Sequence, residues 1–316
     1  MTTLLVSQRN FESHVTPPGH PERPERLQAV AEALSHPRFS KLVRRDAPSV
    51  DLGLAELVHG GAYLERLRRA RPAEGMGRID EDTFISSGSL DAASTALGGG
   101  LAALEAVLLG EADNAFCAIR PPGHHAEIEQ PMGFCLINTI AILAREAQRK
   151  YGAERVAIVD FDVHHGNGTQ DVFKADPTVF YASSHQMPLY PGTGSPSETG
   201  VGNIVNAALP AHSGGAAMRE AYDALIFPAL RRFAPDLLLV SAGFDAERRD
   251  PLAELEWGPE DYAWLTARLL EVADAQCEGR MVSLLEGGYD LAGLAAGVTS
   301  HVGVLQDGAT ATPAED

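Results

Sequence analysis

The sequence predicts an α/β protein with a mostly parallel central β-sheet and helices on both faces, and three observations predict it. Apolar runs such as Val156-Ala157-Ile158-Val159 and Leu237-Leu238-Leu239-Val240 are continuous rather than alternating, as in strands buried on both faces. Segments with helical spacing separate these runs. Polar groups follow four of them: His124 and His125, the stretch Asp160 to Gly168, Asp245, and Tyr289. Ligands of doubly wound sheets bind beyond the carboxyl ends of the strands, so the four segments point to one shared edge.

Taken in order, Leu4 to Ser7 is a short first strand, and Thr16 to Pro24 is a proline-rich loop. Leu27 to Leu34 has helical spacing. Leu54 to Arg71 reads as one helix, with Leu57, Leu64 and Leu67 opposite a solvated basic face of Arg66, Arg68 and Arg69. Gly75 to Gly88 is a loop carrying Asp80, Glu81 and Asp82. Leu90 to Leu109 is alanine-rich and helical, and Gly98-Gly99-Gly100 is expected to bend or split it. Ala115 to Ile119 is a strand leading into Arg120-Pro121-Pro122-Gly123-His124-His125.

A helix over Asn138 to Lys150 precedes the strand Val156 to Val159, and Val179 to Ala182 is a further short strand. Ala216 to Phe233 is helical, with Pro228 expected to kink or break it. Leu237 to Val240 is a buried strand, and Pro259 opens a helix reaching Ala275 from a favourable first-turn position. Met281 to Leu285 is the last strand, and Leu291 to Leu305 the last helix. Without repeats or linkers, residues 1–316 read as a single domain, with the last ~10 residues as a disordered tail.

The chain carries 25 Lys and Arg against 43 Asp and Glu, a net charge of −18. That balance argues against direct nucleic-acid binding and for cationic partners. Cys117, Cys135 and Cys277 form no CxxC pair, which fits a reducing compartment without disulfides or a thiolate zinc site. The N-terminus lacks the features of a signal peptide, and no apolar run nears the ~20 residues a spanning helix needs. A soluble cytoplasmic protein without membrane association is expected.

Side chains alternate along an extended strand, so Asp160, Asp162 and His164 share one face. Asp162, His164 and Asp245 together offer two carboxylates and one imidazole. Such a set balances a divalent cation and leaves a position open for water. Capping of turns is an adequate explanation of any one aspartate, but a poor one of the set. The adjacent His124 and His125 follow a rigid Pro-Pro-Gly turn and suit acid–base work, with Asp160 and Asn167 available as ring partners. Tyr289, after two glycines at a strand end, is placed to stabilise an oxyanion, with packing as the plainer alternative.

The segments HPERPERL (20–27), RPPGHHAE (120–127), MGFCLINT (132–139), VDFDVHHGNGTQD (159–171), YPGTG (190–194), SAGFDAERRDPLAELEW (241–257) and EGGYD (286–290) span nearly the whole chain. In this order they resemble the zinc-dependent histone deacetylase and acetylpolyamine amidohydrolase family, in wording closest to its class II and bacterial branch. The resemblance implies the arginase-deacetylase fold and one Zn(2+) held by Asp162, His164 and Asp245. It implies His125 as general base and then acid, oriented by Asn167, where many relatives carry aspartate. His124 with Asp160 would tune charge and hold the water, and Tyr289 would donate to the carbonyl oxygen. Gly133 would accept the substrate amide proton, with Phe134 and Tyr190 as tunnel walls. A structural K(+) or Na(+) is implied near Asp160, Asp162, His164 and Ser183.

The expected partner is an acetylated lysine side chain or an acetylpolyamine. Leu252 follows Asp250-Pro251 where a carboxylate would select a charged polyamine. Loops 14–26 and 75–89 are expected to shape the entrance and are candidates for homo-oligomer contacts. Two rival readings stand beside this one. A dinuclear manganese ureohydrolase of the arginase-like fold would draw on Asp160, Asp162, Asp245 and Glu247, but has no use for His124-His125 or Tyr289. A non-catalytic binding module would keep the pocket without turnover.

Overall fold

The computed structural model describes residues 1–309. In chain order the strands of the main sheet are β1 (Thr3–Ser7), β2 (Val43–Asp46), β5 (Asn114–Ala118), β6 (Val156–Asp160), β7 (Val179–Gln186), β8 (Ile204–Leu209), β9 (Leu237–Ala242) and β10 (Met281–Leu285), while β3 (Met76–Arg78) and β4 (Phe84–Ser86) form a separate antiparallel pair. The eight strands lie in the order β2-β1-β5-β10-β9-β6-β7-β8, every pair parallel.

The helices are α1 (Glu25–Ala33), α2 (Gly61–Ala70), α3 (Ser89–Leu108), α4 (Thr139–Tyr151), α5 (Asn167–Phe173), α6 (Gly215–Ala221), α7 (Phe227–Phe233), α8 (Pro259–Cys277) and α9 (Leu291–Asp307). They cover both faces of the sheet, which explains the continuous apolar runs. Ala157, Val159, Leu238 and Val240 pack into one core with α1, α8 and α9. Val156, Ile158, Leu237 and Leu239 pack into the other with α2, α3 and α4. Burying each such side chain contributes about 1.5–3 kcal/mol. The alternation persists past the end of β6. Phe161 and Val163 join the first core, leaving Asp160, Asp162 and His164 to the opposite side.

Several elements differ from the sequence expectation. The predicted helix over Leu54 to Arg71 is two pieces, a short helical turn at Leu52–Leu57 and then α2, separated at His59-Gly60. The loop over Gly75 to Gly88 holds the β3–β4 hairpin. Helix α3 runs unbroken through its three glycines, because they admit close neighbours: any Cβ on Gly98 would collide with the Pro48 carbonyl. The interruption expected at Pro228 lies just before it, where a π-turn at Tyr222–Ile226 divides the helix into α6 and α7 and leaves Pro228 in the first turn of α7. β7 extends beyond Ala182 because Ser183 and Ser184 are buried with hydrogen-bonded hydroxyls. The edge strand β2 and the short α5 lack the apolar signature that marks the central elements, and the apolar run of the other edge strand, β8, is interrupted by Asn206. The expected terminal tail extends past Ala309, outside the described residues.

Candidate active site

The carboxyl ends of β5, β6, β9 and β10 carry the four polar segments, and the sheet order sets these strands side by side. Asp162, His164 and Asp245 are buried, and one ligand atom from each lies within 4.8 Å of the others. Backbone donors fix the two carboxylates. Val163 N–H reaches Asp245 Oδ1 at 2.9 Å, His164 N–H reaches Asp162 Oδ1 at 2.9 Å, and Gly287 N–H reaches Asp162 Oδ2 at 2.8 Å. A side chain on Gly287 would strike both aspartates, so only glycine lets the end of β10 approach this closely.

His164 Nδ1 lies 3.1 Å from Asp162 Oδ1 and 3.2 Å from Asp245 Oδ2. Burial disfavours its charge, yet the two carboxylates outweigh burial and push the ring up to about 10. Burial drives the Asp245 carboxyl up to about 7, with Asp162 adding to the effect. The three groups compete for protons, as expected of a pocket built to hold positive charge. Oxygen and nitrogen donors in this combination fit a divalent ion such as zinc. Among the described residues they form the one such cluster of three or more His, Cys, Asp or Glu. Asp160 and Glu247, which a second metal would need, are engaged elsewhere. Asp160 serves His124, Tyr181 and the Asp162 N–H, while Glu247 pairs with Arg249.

The two histidines sit side by side in different electrostatic settings. His124 Nδ1 is 2.9 Å from Asp160 Oδ2 and its Nε2 is 3.8 Å from Asp162. Burial opposes its charge, but Asp160 and Asp162 hold its pKa well above the usual value. His125 Nδ1 lies 2.8 Å from Asn167 Oδ1. Burial, and then the neighbouring His124 and His164, depress it well below the usual value, so His125 is neutral and has a free ring nitrogen. The resemblance implied different roles for the two, and the fold gives them different settings, a carboxylate partner for His124 and an amide partner for His125.

A cavity of about 230 Å³ leads to this point, lined by Asp82, His125, Gly133, Phe134, His164, Leu189, Tyr190, Leu252 and Tyr289. Phe134 adopts φ +68°, an uncommon conformation for a bulky residue, and packs edge-on against Tyr289 with centroids 5.8 Å apart. Tyr190 is 39% exposed and edge-on to His125. Gly133 lies against the His125 ring, and its carbonyl accepts from the Cys135 thiol at 3.2 Å. Burial keeps the Tyr289 phenol protonated, raising it well above its ordinary pKa. Ser183 lies opposite Asp160 in the β6–β7 register, and its hydroxyl engages His185.

Several supporting residues carried no role in the sequence reading. Glu286 accepts from Gly123 N–H at 2.7 Å, His124 N–H at 3.2 Å and the Ser241 hydroxyl at 3.1 Å, fixing the histidine turn. Arg26 lies over the Tyr289 ring at 4.9 Å and donates to the carbonyls of Glu286 and Gly288. Glu22 joins this arginine to Arg120, which grips it through two bonds of 2.7 and 2.6 Å. Burial would raise the Glu22 carboxyl, but Arg120 holds it well below the usual range. Charged residues in HPERPERL and RPPGHHAE are the only sequence trace of this network. Asp82, from the acidic loop, and Leu252 reach the cavity wall itself.

Residues 20–305 match the family model of the histone deacetylase domain. The chain is 39% identical over 300 residues to a probable deacetylase of Archaeoglobus fulgidus, covering 93% of this chain and 83% of that protein. It is 38% identical over 284 residues to the histone deacetylase-like amidohydrolase of Pseudomonas aeruginosa, covering 87% and 74%. The crystal structure of the HDA15 HD domain superposes with a TM-score of 0.90 at 33% identity, over 98% of this chain and 90% of that one. The sheet and its flanking helices are therefore the arginase-deacetylase fold that the motifs implied. With a family model spanning nearly the whole chain and relatives this similar, the protein belongs to the histone deacetylase family of deacetylases and amidohydrolases.

Proposed function

We propose that this protein is a zinc-dependent deacetylase that hydrolyses the acetamide of an acetylated lysine side chain or acetylpolyamine, releasing acetate and the free amine. The observation that carries the reading is the cavity itself. An apolar passage between Phe134, Tyr190, Leu189 and Leu252 ends where His125, His164 and Tyr289 meet. A linear acylated amine fits such a passage, with its aliphatic stem against the walls and its carbonyl at the floor.

Asp162, His164 and Asp245 would hold one zinc ion, which when bound lowers the pKa of water and polarises a carbonyl oxygen. His125, neutral and aligned by Asn167, accepts a proton from the attacking water at Nε2. It returns that proton to the departing amine nitrogen as the C–N bond breaks. The Tyr289 phenol donates to the carbonyl oxygen as negative charge grows there. The His124–Asp160 pair keeps positive charge beside the reacting centre. The Gly133 carbonyl retains a lone pair for the substrate amide N–H.

A structural potassium or sodium ion near Asp160, Asp162, His164 and Ser183 belongs to the same proposal, supported by the register that pairs Asp160 with Ser183. The three buried free cysteines support a reducing, cytoplasmic setting, and among the described residues no helix is long and apolar enough to cross a membrane. The apolar Leu252 in the wall favours an acetyl-lysine stem over a charged polyamine chain, whereas Asp82 at the same cavity supplies one carboxylate for a cation. Steady-state assays of zinc-loaded protein on acetyl-lysine peptides, acetylated polyamines and longer acyl-lysines test the reading. Hydrolysis of either acetylated class is the expected result, and activity on none of these substrates would refute it.

A further inference from the structure

We propose that Glu127 is a positioning residue that sets the tautomer of His125 through Asn167, an inference that rests on His125 being the proton-transfer group. The three side chains form a chain of contacts. His125 Nδ1 is 2.8 Å from Asn167 Oδ1, and Asn167 Nδ2 is 2.8 Å from Glu127 Oε1. The same amide nitrogen also lies 3.3 Å from Met132 Sδ.

An asparagine beside a histidine does not by itself choose a tautomer. Turned one way, its oxygen accepts from Nδ1–H and leaves a lone pair on Nε2. Turned the other way, its NH2 donates to Nδ1, the proton moves to Nε2, and the cavity faces a donor that cannot act as a base. An aspartate at this position would permit only the first arrangement, because an ionised carboxylate only accepts. Glu127 restores that constraint one residue further out. Its carboxylate takes the amide N–H, so the oxygen must face the ring, and the bond is charge-assisted.

The placement of Glu127 separates this role from direct contact with substrate. It is half-buried and lines a different cavity of about 400 Å³, with Gln170, Asp171, Lys174, Thr193 and Glu198, on the far side of Asn167 from the passage. Its backbone is anchored as well, the N–H donating to the Gln130 carbonyl at 2.9 Å and its carbonyl accepting from His59 at 3.0 Å. Any influence on turnover therefore passes through Asn167. The arrangement also explains why aspartate would be unfavourable at 167 in this chain: two carboxylates would face each other at hydrogen-bond distance.

The test is a double-mutant cycle on zinc-loaded protein with an acetyl-lysine peptide, combining Glu127→Gln and Asn167→Asp. Long-range nitrogen–proton NMR correlations of labelled histidines, with His125 assigned from a His125→Gln variant, read the tautomer independently of turnover. Glu127→Gln is expected to lower kcat about tenfold with little change in KM, as for other residues that orient a reacting group. The His125 signals should then depart from a pure Nδ1–H tautomer. Asn167→Asp alone should lose activity, and adding Glu127→Gln should recover it, because glutamine can donate to the new aspartate. Wild-type kcat and an unchanged tautomer in Glu127→Gln would overturn the proposal, as would a double variant equal to the product of the singles. If the wild-type protein hydrolyses no acetylated amine, the functional reading fails, and the tautomer spectra alone decide the role of Glu127.

Discussion

The Asp250 carboxylate accepts the backbone N–H of Tyr289 at 2.7 Å, tying the turn after β10 to the segment that carries Leu252. Two walls of the cavity are thereby locked to one buried side chain, and the phenol keeps its place without any direct bond to it. Asp250→Ala leaves the Tyr289 N–H unpaired, which costs about 1–3 kcal/mol of stability. A fall in kcat of about ten- to a hundredfold with retained metal is expected, measured by steady-state kinetics and metal analysis. A kcat equal to wild type would show that the turn holds itself.

Tyr289→Phe removes one hydroxyl and leaves the Arg26 stacking and the Phe134 edge contact in place. A loss of about 10²–10³ in kcat is expected, the cost typical of one missing oxyanion donor. Metal content should match wild type. Loss of metal from this variant contradicts the assignment, since the role proposed for the phenol is toward substrate and not toward metal.

Chelation should abolish activity, and zinc should restore it, with one equivalent bound per chain by elemental analysis. Asp245→Ala should bind zinc weakly and show no turnover. Zinc at a hundredfold excess over its dissociation constant stabilises a protein by about 2.7 kcal/mol, so the wild-type melting temperature should rise on loading and that of the variant should not. Two manganese ions per chain would instead favour the arginase-like reading.

His59 links two motifs, donating from Nδ1 to the Glu127 carbonyl and accepting the Asn138 N–H at Nε2, which requires a neutral ring. Burial lowers its pKa from 6.5 to about 4. The unfolded chain therefore takes up a proton near pH 6.5 while the folded chain resists until about 4. Stability from this group is complete above pH 6.5, falls as pH drops through that window, and levels off below it, by about 3 kcal/mol in all. Urea unfolding at steps between pH 7 and 4 should show a shallower decline for His59→Gln than for wild type. Parallel declines would assign the acid sensitivity to other buried histidines.

By itself the sequence determined the central strands and the polar residues at their ends. Burial on both faces leaves an unmistakable apolar run in β6, β9 and β10, and a carboxylate or imidazole directly after such a run stands out. Period-two alternation placed Asp160, Asp162 and His164 on one side, and the partition of Phe161 and Val163 into the opposite core agrees. Only the tertiary structure decided which partners these residues meet. Glu127 and Asn167 lie 40 residues apart, and Arg26 and Gly288 lie 262 apart. Such contacts depend on the lateral order of strands and the angles of loops, neither of which leaves a local periodic trace. The opposite pKa shifts of His124 and His125 follow from the same cause: adjacent in sequence, they differ in the carboxylates and rings that folding brings beside them.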